Sequence, residues 1–293
     1  MIGKKPLVTL GLPVYNGAEF LSRCLDSLLA QTCQDFELII ADNGSTDDTP
    51  RVAVDYARRD QRIRYVRHER NLGFSHNMNF LFRSAQGRYI LCTGAKDWRT
   101  PDCLARYLEI MEADPEIALC YGQTVGVDEH GAEHEVETDD LETRGLKATD
   151  RFRKVIRRMK RGDLNYGLLR VETLRRTRLF RNVYGHDHVL MAELSLQGTF
   201  AHLRVPVFFR RERRHPASSR ETVRQLLTMI DPQIGTAHRW FPFWMFLWEH
   251  IRGLWSASMS CLTKIGLTLA ALRILRRRFW WGMKKDVREL FIR

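Results

Sequence analysis

The stretch FELIIADNGSTDDT, Phe36 to Thr49, decides the fold. Its first six residues are almost all apolar, which is typical of a strand buried on both faces of a parallel sheet. Asp42 follows at once, and the polar residues after it predict a turn. Ser45 or Thr46 is placed to cap the helix that comes next. The stretch therefore predicts a strand, an acidic residue at its tip, a turn and a helix.

The same pattern lies on both sides of this stretch. Upstream, PLVTLGLPVY is an apolar run that is ended by Pro13, and Asn16 is placed to cap a helix with a leucine stripe. Downstream, IRYVRH, RYILCT and IALCYG are predicted strands, with helices over Ser75–Ser84 and Pro101–Met111. This alternation predicts an α/β fold with a doubly wound, mostly parallel central sheet and flanking helices.

Polar residues follow several of these strands. Asp42, Asn71, Gly73 and the loop Gly94–Asp97 each come just after an apolar run. Doubly wound sheets bind ligands beyond the carboxyl ends of their strands. We therefore expect these residues to meet at one edge of the sheet.

The second half of the chain is less regular. DEHGAEHE predicts a turn, YGLLRVE a strand, DHVLMAELSLQG an amphipathic helix closed by Gly198, and FAHLRVPVFFRRERRHP a strand that leads into a basic loop. From about Pro232 the composition changes to aromatic and basic residues, as in RWFPFWMFLWEH and IGLTLAALRILRRRFWWGMKK. We expect one domain over residues 1–230 and a helical, basic tail over residues 231–293.

The tail is open to two interpretations. Its apolar run Ile265–Leu272 is far shorter than the ~20 residues that span a bilayer. Aromatic residues beside Lys and Arg clusters suit a helix that lies in the membrane interface. The alternative is a helical cap that packs its aromatic side chains on the main domain.

The overall charge favours an anionic partner. The 293 residues carry a formal charge of +12 and a pI near 9.7, which suits nucleic acid, an anionic membrane surface or a phosphorylated substrate. No basic-aromatic recognition motif is present and much of the positive charge lies in the tail, so nucleic acid is not expected.

The six cysteines form no CxxC pair, which favours reduced thiols. No signal peptide is recognisable, so we expect a cytoplasmic protein, peripheral at the inner face of the membrane.

Taken together, VTLGLPVYNGAEFLSRCLDSLLAQT, FELIIADNGSTDDT, NLGFSHNMNF and DWRTPDCL resemble the inverting nucleotide-sugar glycosyltransferases of family 2, which have the GT-A fold. The resemblance covers residues 1–215. It implies transfer of a sugar from a nucleoside diphosphate donor, UDP-linked by resemblance, to an acceptor hydroxyl. Surface glycan or polysaccharide synthesis is the implied setting, with a glycan or lipid-linked acceptor.

The resemblance also assigns the donor site. It places Asp42 against the nucleobase or ribose, although a plain turn aspartate fits the same pattern. The loop of Pro13 and Tyr15 would pass along the base, with Tyr15 either contacting it or packed under the loop. Asn71 and Gly73 match the family's Asn-x-Gly element, and Asn71 equally suits a turn. Asn79 matches a later family asparagine, but Met78 stands where the family usually has arginine.

On the acceptor side, GHDHVLMAEL offers Asp187 as the catalytic base. A helix N-terminus favours an ionised carboxylate, as a base requires. The alternative is that Asp187 only caps the helix. The basic loop that follows contains Arg210, Arg211, Arg213 and Arg214. These arginines would contact diphosphate or membrane lipid, and the alternative is a solvated basic loop. His215 matches a family position that coordinates metal or contacts the diphosphate.

Lys96 departs from the family pattern. Relatives commonly place Asp-x-Asp or Asp-Asp in this loop, whereas this chain has Gly94, Lys96 and Asp97. Three interpretations remain open. Mg²⁺ or Mn²⁺ is held weakly by Asp97 and His215; or transfer needs no metal and Lys96 offsets the leaving-group charge; or the protein is an inactive relative that binds nucleotide or glycan without turnover.

Overall fold

The computed structural model describes residues 5–211, 220–234 and 241–288. Its strands are β1 Val8–Val14, β2 Phe36–Asp42, β3 Ile63–Arg67, β4 Tyr89–Cys92, β5 Trp98–Arg99, β6 Ile117–Val127, β7 Glu133–Glu135, β8 Leu168–Arg170 and β9 Thr199–Arg211. The α-helices are α1 Ala18–Leu29, α2 Thr49–Arg59, α3 Phe74–Ser84, α4 Cys103–Ala113, α5 Ala148–Arg158, α6 Val171–Arg175, α7 His186–Gln197, α8 Arg220–Ile230, α9 Pro242–Ser256 and α10 Cys261–Arg288. A 3-10 helix spans Gly162–Tyr166.

The described strands form one sheet in the order β3-β2-β1-β4-β8-β6-β9-β5, with β7 beside β6. The long pairings β1 with β2, β2 with β3, β1 with β4 and β6 with β9 are parallel. The short strands β5, β7 and β8 pair antiparallel. The predicted α/β class, with a mostly parallel sheet and flanking helices, is therefore confirmed.

Both faces of the sheet are buried because successive side chains of the central strands point to opposite sides. In β2, Leu38 and Ile40 join an apolar cluster with α1, α2 and α4. Ile39 and Ala41 join a second cluster with α3, α5, α7, α9 and α10. This alternation explains why the strands read as nearly continuous apolar runs.

The predicted helix caps are wrong. Neither Asn16 nor Ser45 caps a helix, since α1 begins after Gly17 and α2 begins at Thr49. The Asn16 amide instead donates to the Ser45 hydroxyl at 2.9 Å, and the Thr46 amide donates to Asn16 Oδ1 at 2.8 Å. These side chains join the β1–α1 loop to the β2–α2 loop, a long-range role that local patterns do not reveal.

The second half also differs from expectation in places. The predicted turn after β6 is a hairpin that adds β7, and α5 and α6 were not predicted. The helix α7 is not amphipathic, because every residue from His188 to Leu196 is buried. It is enclosed by α5 and α6, which precede it in the chain, and by α9, which comes from the distant tail.

The predicted helical tail is present as α9 and α10. Phe246, Leu254, Ala271 and Leu275 belong to the same apolar cluster as α5 and α7, so one face of the tail is a cap on the main domain. Aromatic and aliphatic side chains on the other face are exposed, among them Trp248. The domain boundary at residue 230 stays a prediction. In the described parts of the chain, no helix combines the length and apolar character needed to cross a membrane.

Buried polar groups fix the tail in place. Arg178, beside α7, pairs with Glu193 of α7 at 2.6 Å and with Glu249 of α9 at 2.8 Å. His188 of α7 lies 2.8 Å from His250 of α9, nitrogen to nitrogen, and burial lowers the pKa of both imidazoles. The ion pairs match buried charges across the interface, and the two neutral imidazoles lie at hydrogen-bond distance from each other, so the tail is held against α7 by specific contacts.

Candidate active site

The loops after β1, β2 and β4 meet at the carboxyl edge of the sheet. Val14 and Asp42 pair in register at the ends of β1 and β2. The Asn43 amide donates to the Val14 carbonyl at 2.8 Å. A Cβ at Gly17 would come within 3.2 Å of the Ala95 side chain. The β1–α1 loop therefore touches both the tip of β2 and the loop after β4.

Asp42 lies at the floor of this edge and is fully buried. Its Oδ1 accepts the Ser45 amide at 2.8 Å, and its Oδ2 accepts the Tyr65 hydroxyl at 2.7 Å. The Arg67 guanidinium lies 3.8 Å away. Burial, and then this hydrogen bond, raise the pKa of Tyr65. The carboxylate is thus held in a fixed orientation, and its contact with a nucleotide stays a prediction.

A pair of asparagines joins the tip of β2 to the β3–α3 loop. Asn43 Nδ2 donates to Asn71 Oδ1 at 2.8 Å, and the Gly73 amide donates to the same Asn71 oxygen at 2.8 Å. Gly73 has φ 86°, and a Cβ there would collide with the Ile230 carbonyl at the end of α8. Asn71 and Gly73 therefore shape the edge, and Asn43 contributes to it without having been predicted from the sequence.

The remaining residues that the sequence predicts for the donor site fall into two groups. Pro13 is half-buried, whereas Tyr15 is 48% exposed and so is not packed under its loop. Asn79 makes two 2.9 Å hydrogen bonds with the Phe180 backbone, and Met78 is fully buried in the core. Pro13 and Tyr15 are placed at the edge, while the amide of Asn79 is used within the fold.

The loop after β4 separates Lys96 from Asp97. Lys96 is exposed, whereas Asp97 is only 3% exposed and accepts the Arg211 amide at 3.1 Å. Burial raises the pKa of Asp97 to about 6, while this hydrogen bond and the charges of Lys96, Arg210 and Arg99 oppose the rise. Asp97 is therefore mainly ionised at neutral pH and lies among cations.

This surrounding does not fit a divalent ion held by the protein. Mg²⁺ at nucleotide sites is usually bound through one or two carboxylates together with substrate phosphates and water, and not by protein side chains alone. Within the described residues, no three His, Cys, Asp or Glu side chains are grouped to hold a metal. Asp97 is a single carboxylate with basic neighbours, and His215 lies outside the described residues.

Asp187 lies in the first turn of α7, where Gly185 occupies the cap position. It is half-buried, and its Oδ1 accepts the His188 amide at 2.8 Å. Its Oδ2 lies against Gly162 of the 3-10 helix. Burial lowers the pKa of the adjacent His186, although Asp187 opposes this shift. The acceptor-side candidate is thus an accessible carboxylate beside a neutral imidazole.

The ion pair between Asp163 and Arg210 lies between Asp187 and the loop of Asp97. Asp163, next to Gly162, is buried and pairs with Arg210 at the end of β9 and with Arg161 at 3.1 Å. Arg210 in turn acts electrostatically on Asp97. Arg210 was predicted from the sequence, whereas Asp163 and Gly162 were not. Their signal, a Gly-Asp pair after a basic run, is too common to identify a site.

Asp187 opens into a cavity of about 280 Å³. Its aromatic walls are Tyr184, Phe246 and Phe279, and Lys160 and Arg278 add positive charge. Aromatic walls with a few polar groups are typical of small-molecule sites. Asp42 does not line this cavity. The cavity is instead connected to the edge of the sheet through Ile230 of α8, which lines the cavity and lies against Gly73.

Both the sequence and the fold of this chain match those of known proteins. The family model described as Glycosyl transferase family 2 matches residues 9–177, which is more than half of the chain. The chain belongs to glycosyl transferase family 2. Its predicted membership of this family is thereby confirmed.

Two curated relatives illustrate the family match. Chondroitin synthase of Escherichia coli is 32% identical over 126 residues, which is 43% of this chain and 18% of that protein. The uncharacterized glycosyltransferase EpsJ of Bacillus subtilis is 38% identical over 107 residues, 36% of this chain and 31% of that protein. The chain thus spans at most about a third of these family members.

Solved structures confirm the GT-A fold. TarS 1-349 of S. aureus in complex with UDP-GlcNAc aligns with a TM-score of 0.66 and 14% identity, covering 93% of this chain and 72% of that one. The mannosyltransferase PcManGT of Pyrobaculum calidifontis, in complex with GDP-Man and Mn²⁺, aligns with a TM-score of 0.53 and 19% identity, covering 97% and 85%. At these identities the likeness to the two structures concerns the fold alone.

Proposed function

We propose that this protein transfers a sugar from a UDP-linked donor to an acceptor hydroxyl with inversion at the anomeric carbon. Asp187 takes the hydroxyl proton as the acceptor oxygen attacks that carbon. The bond to the diphosphate breaks on the opposite face, and UDP leaves with the bonding electrons. A positioned base of this kind contributes roughly 10²–10⁴-fold to the rate.

One observation carries this proposal. The half-buried Asp187 carboxylate opens into an aromatic cavity and is joined, through Gly162, Asp163 and Arg210, to the loop of Asp97. A base and a group of cations therefore lie in adjoining parts of one edge. Inverting transfer needs these two features, a base for the acceptor and positive charge for the leaving diphosphate.

The donor site is proposed at the tips of β1 and β2. Asp42 would contact the nucleobase or ribose, with Pro13 and Tyr15 beside the base and Asn71 and Gly73 at the rim. The uridine choice is supported by the family resemblance and by TarS, a protein of like fold crystallised with UDP and UDP-GlcNAc.

Lys96 is proposed to offset the charge of the leaving diphosphate. It is exposed on the loop after β4, and Arg210 adds positive charge nearby. A lysine binds phosphate as a point charge and needs no counter-acids. The alternative is a divalent ion brought with the donor and supported by Asp97 and His215, as the Mn²⁺ in the PcManGT complex suggests.

The acceptor is proposed to be a growing surface glycan or a lipid-linked sugar. The cavity at Asp187 has aromatic walls and two cations, which suit sugar rings and an anionic acceptor group. The basic tail suggests work at the inner face of a membrane, where anionic lipids attract Lys and Arg.

A panel of nucleotide sugars tests this proposal. Thermal unfolding with each donor identifies the ligand that stabilises the folded chain, and release of free UDP then measures donor hydrolysis. We expect stabilisation and UDP release with a UDP-sugar. Stabilisation without turnover, in the presence and absence of Mn²⁺, would instead favour an inactive relative that binds the nucleotide. No stabilisation by any donor would contradict the proposed site.

A further inference from the structure

A groove rich in arginine lies between α5 and α10, next to the cavity of Asp187. Its volume is about 960 Å³. The residues that we call the arginine groove are Arg153 and Arg157 of α5 and Arg273, Arg277 and Arg278 of α10. Leu269, Ala270 and Ile274 complete the lining. Five cations thus share one concave surface.

Little negative charge faces this groove. Arg153 pairs with Asp150 at 3.1 Å, but Arg157, Arg273 and Arg277 are exposed and have no acidic partner within the described part of the chain. Arg273 and Arg277 lie one turn apart, where like charges repel. Such an arrangement lowers stability unless an anion binds, so the groove is suited to an anionic ligand.

An exposed apolar ridge runs beside the groove on α10. It consists of Leu262, Ile265, Leu269 and Leu272, of which Leu262 is 83% and Leu269 63% exposed. Leu269 belongs to both the ridge and the groove. The residues recur every three or four positions, so they form one stripe on the helix. An isolated anion would make no use of this stripe.

The ridge is not needed to hold α10 in the fold. A different stripe, Leu267, Ala271 and Leu275, is fully buried and packs in the apolar cluster with α5 and α7. The helix therefore has two apolar stripes, one facing the protein and one facing solvent. The outer stripe is available to a partner.

Tryptophans mark the two ends of this surface. Trp255 Nε1 donates to Thr268 Oγ1 at 3.1 Å, so α9 presents this ring beside α10. Trp280 and Trp281 are exposed, and the Lys284 ammonium lies 4.8 Å and 5.7 Å from their ring centroids. Tryptophan beside lysine is typical of the boundary between lipid headgroups and acyl chains.

We propose that the arginine groove and the apolar ridge form a docking surface for a bilayer of anionic phospholipids. The guanidinium groups bind headgroup phosphates, and the ridge enters the boundary of the acyl region. RNA also offers phosphates, but it gives no role to exposed leucines. This inference rests on the proposed location at the membrane, and it is independent of the sugar-transfer chemistry.

The docking surface is adjacent to the cavity of Asp187. Arg278 lines both the groove and that cavity. Its guanidinium donates to the carbonyls of Ile156 at 2.6 Å and Met159 at 2.7 Å, at the end of α5. A bilayer bound at the groove would therefore lie beside the proposed acceptor site, where a lipid-linked acceptor is presented.

Sedimentation of the full chain with vesicles tests this inference. The vesicles are phosphatidylcholine alone or phosphatidylcholine mixed with phosphatidylglycerol. We expect binding to the mixed vesicles, about 30-fold weaker in the Arg273→Gln/Arg277→Gln variant because each arginine near an anionic surface contributes about 1 kcal/mol. The control Arg58→Gln/Arg59→Gln removes the same charge from α2, across the sheet, and should bind within about twofold of wild type, since its charges lie beyond the Debye length.

A second variant and an RNA oligonucleotide distinguish a bilayer from RNA as the ligand. Leu262→Gln/Leu269→Gln keeps the charge and should also weaken vesicle binding, whereas RNA binding would be unaffected by it. No vesicle binding by the wild type, equal binding by the groove variant, or binding of an RNA oligonucleotide in place of vesicles would overturn the inference. Because these assays involve no sugar transfer, their failure leaves the proposed reaction intact.

Discussion

The carboxylate of Asp187 rests on Gly162, so that a Cβ at position 162 would occupy the space of Asp187 Oδ2. The 3-10 helix thereby forms a platform for the proposed base. The same helix carries Asp163, whose partner Arg210 acts electrostatically on Asp97 in the loop after β4. The position of the base is thus coupled to the cationic part of the site.

Gly162→Ala should lower turnover without unfolding the protein. The added methyl meets only the end of a flexible side chain, which moves away and displaces the carboxylate. A displacement of about 1 Å costs up to about 100-fold in rate. We expect kcat to fall about 10- to 100-fold, with a melting temperature close to wild type.

Gly266→Ala is the matched control, because nothing lies within 4 Å of a Cβ at that position. It should leave kcat unchanged. Wild-type activity in Gly162→Ala would show that the contact between Asp187 and Gly162 has no part in catalysis.

Lys96→Ala should reduce turnover by more than it reduces UDP affinity if this lysine offsets developing charge. Removal of one such group costs about 100- to 1,000-fold in kcat. The measurement is UDP release with and without EDTA. Lys5→Ala is the control, because Lys5 is exposed and precedes β1, at the amino end of that strand. Full activity of Lys96→Ala, with complete loss in EDTA, would assign the charge compensation to a metal.

The strands and their tips could be predicted because apolar runs report burial directly. Asp42, Asn71 and Asp97 were placed correctly at the sheet edge for this reason. The helix caps could not be predicted in this way. The Ser45 side chain bonds to the loop of Asn16, and the Asn16 side chain bonds to the loop of Ser45, although the two residues are 29 positions apart. Hydrogen bonds between distant loops leave no local pattern.

Tyr65→Phe should destabilise the protein, because it removes a hydrogen bond to the buried Asp42 carboxylate. Loss of a bond to a buried charged group costs about 2 kcal/mol. Urea unfolding measures this change. Tyr56→Phe removes the same kind of bond, to Asp26 at 2.7 Å, from the exposed surface, and should cost less than about 1 kcal/mol. Equal losses in both variants would contradict the proposed anchoring of Asp42.

Acid should weaken the contact between the tail and α7. Burial lowers the pKa of His250 to about 4 and lowers that of His188 as well. Below the ordinary value near 6.5 the unfolded chain binds protons that the folded chain does not, so stability is complete above pH 6.5 and declines towards pH 4. The expected loss is on the order of 3 kcal/mol.

His250→Gln isolates this effect. The raised pKa of Asp97 acts in the opposite direction over part of the same range, since its stability contribution falls as the pH rises towards 6. Both proteins contain Asp97, so the difference between their urea midpoints cancels its effect. The variant should show a flatter dependence on pH, and parallel curves would refute the role of the imidazoles.

The tail and the acceptor side were less predictable for a different reason. Composition indicated a basic, aromatic tail, but not that α10 has one buried and one exposed apolar stripe. That division depends on α5 and α7, which are distant in sequence, as in the contact of Arg278 with Ile156, 122 positions apart. Asp163 was missed because its importance comes from Arg210, and the sequence does not show their pairing.

The most direct test of the central claim is the turnover of Asp187→Asn with the best UDP-sugar and an acceptor. The amide keeps the shape of the side chain but cannot take a proton. We expect kcat to fall about 10²–10⁴-fold while UDP binding stays within about twofold, and the surface control Asp48→Asn should retain full activity. An Asp187→Asn variant that keeps wild-type kcat would contradict the assignment of Asp187 as the base.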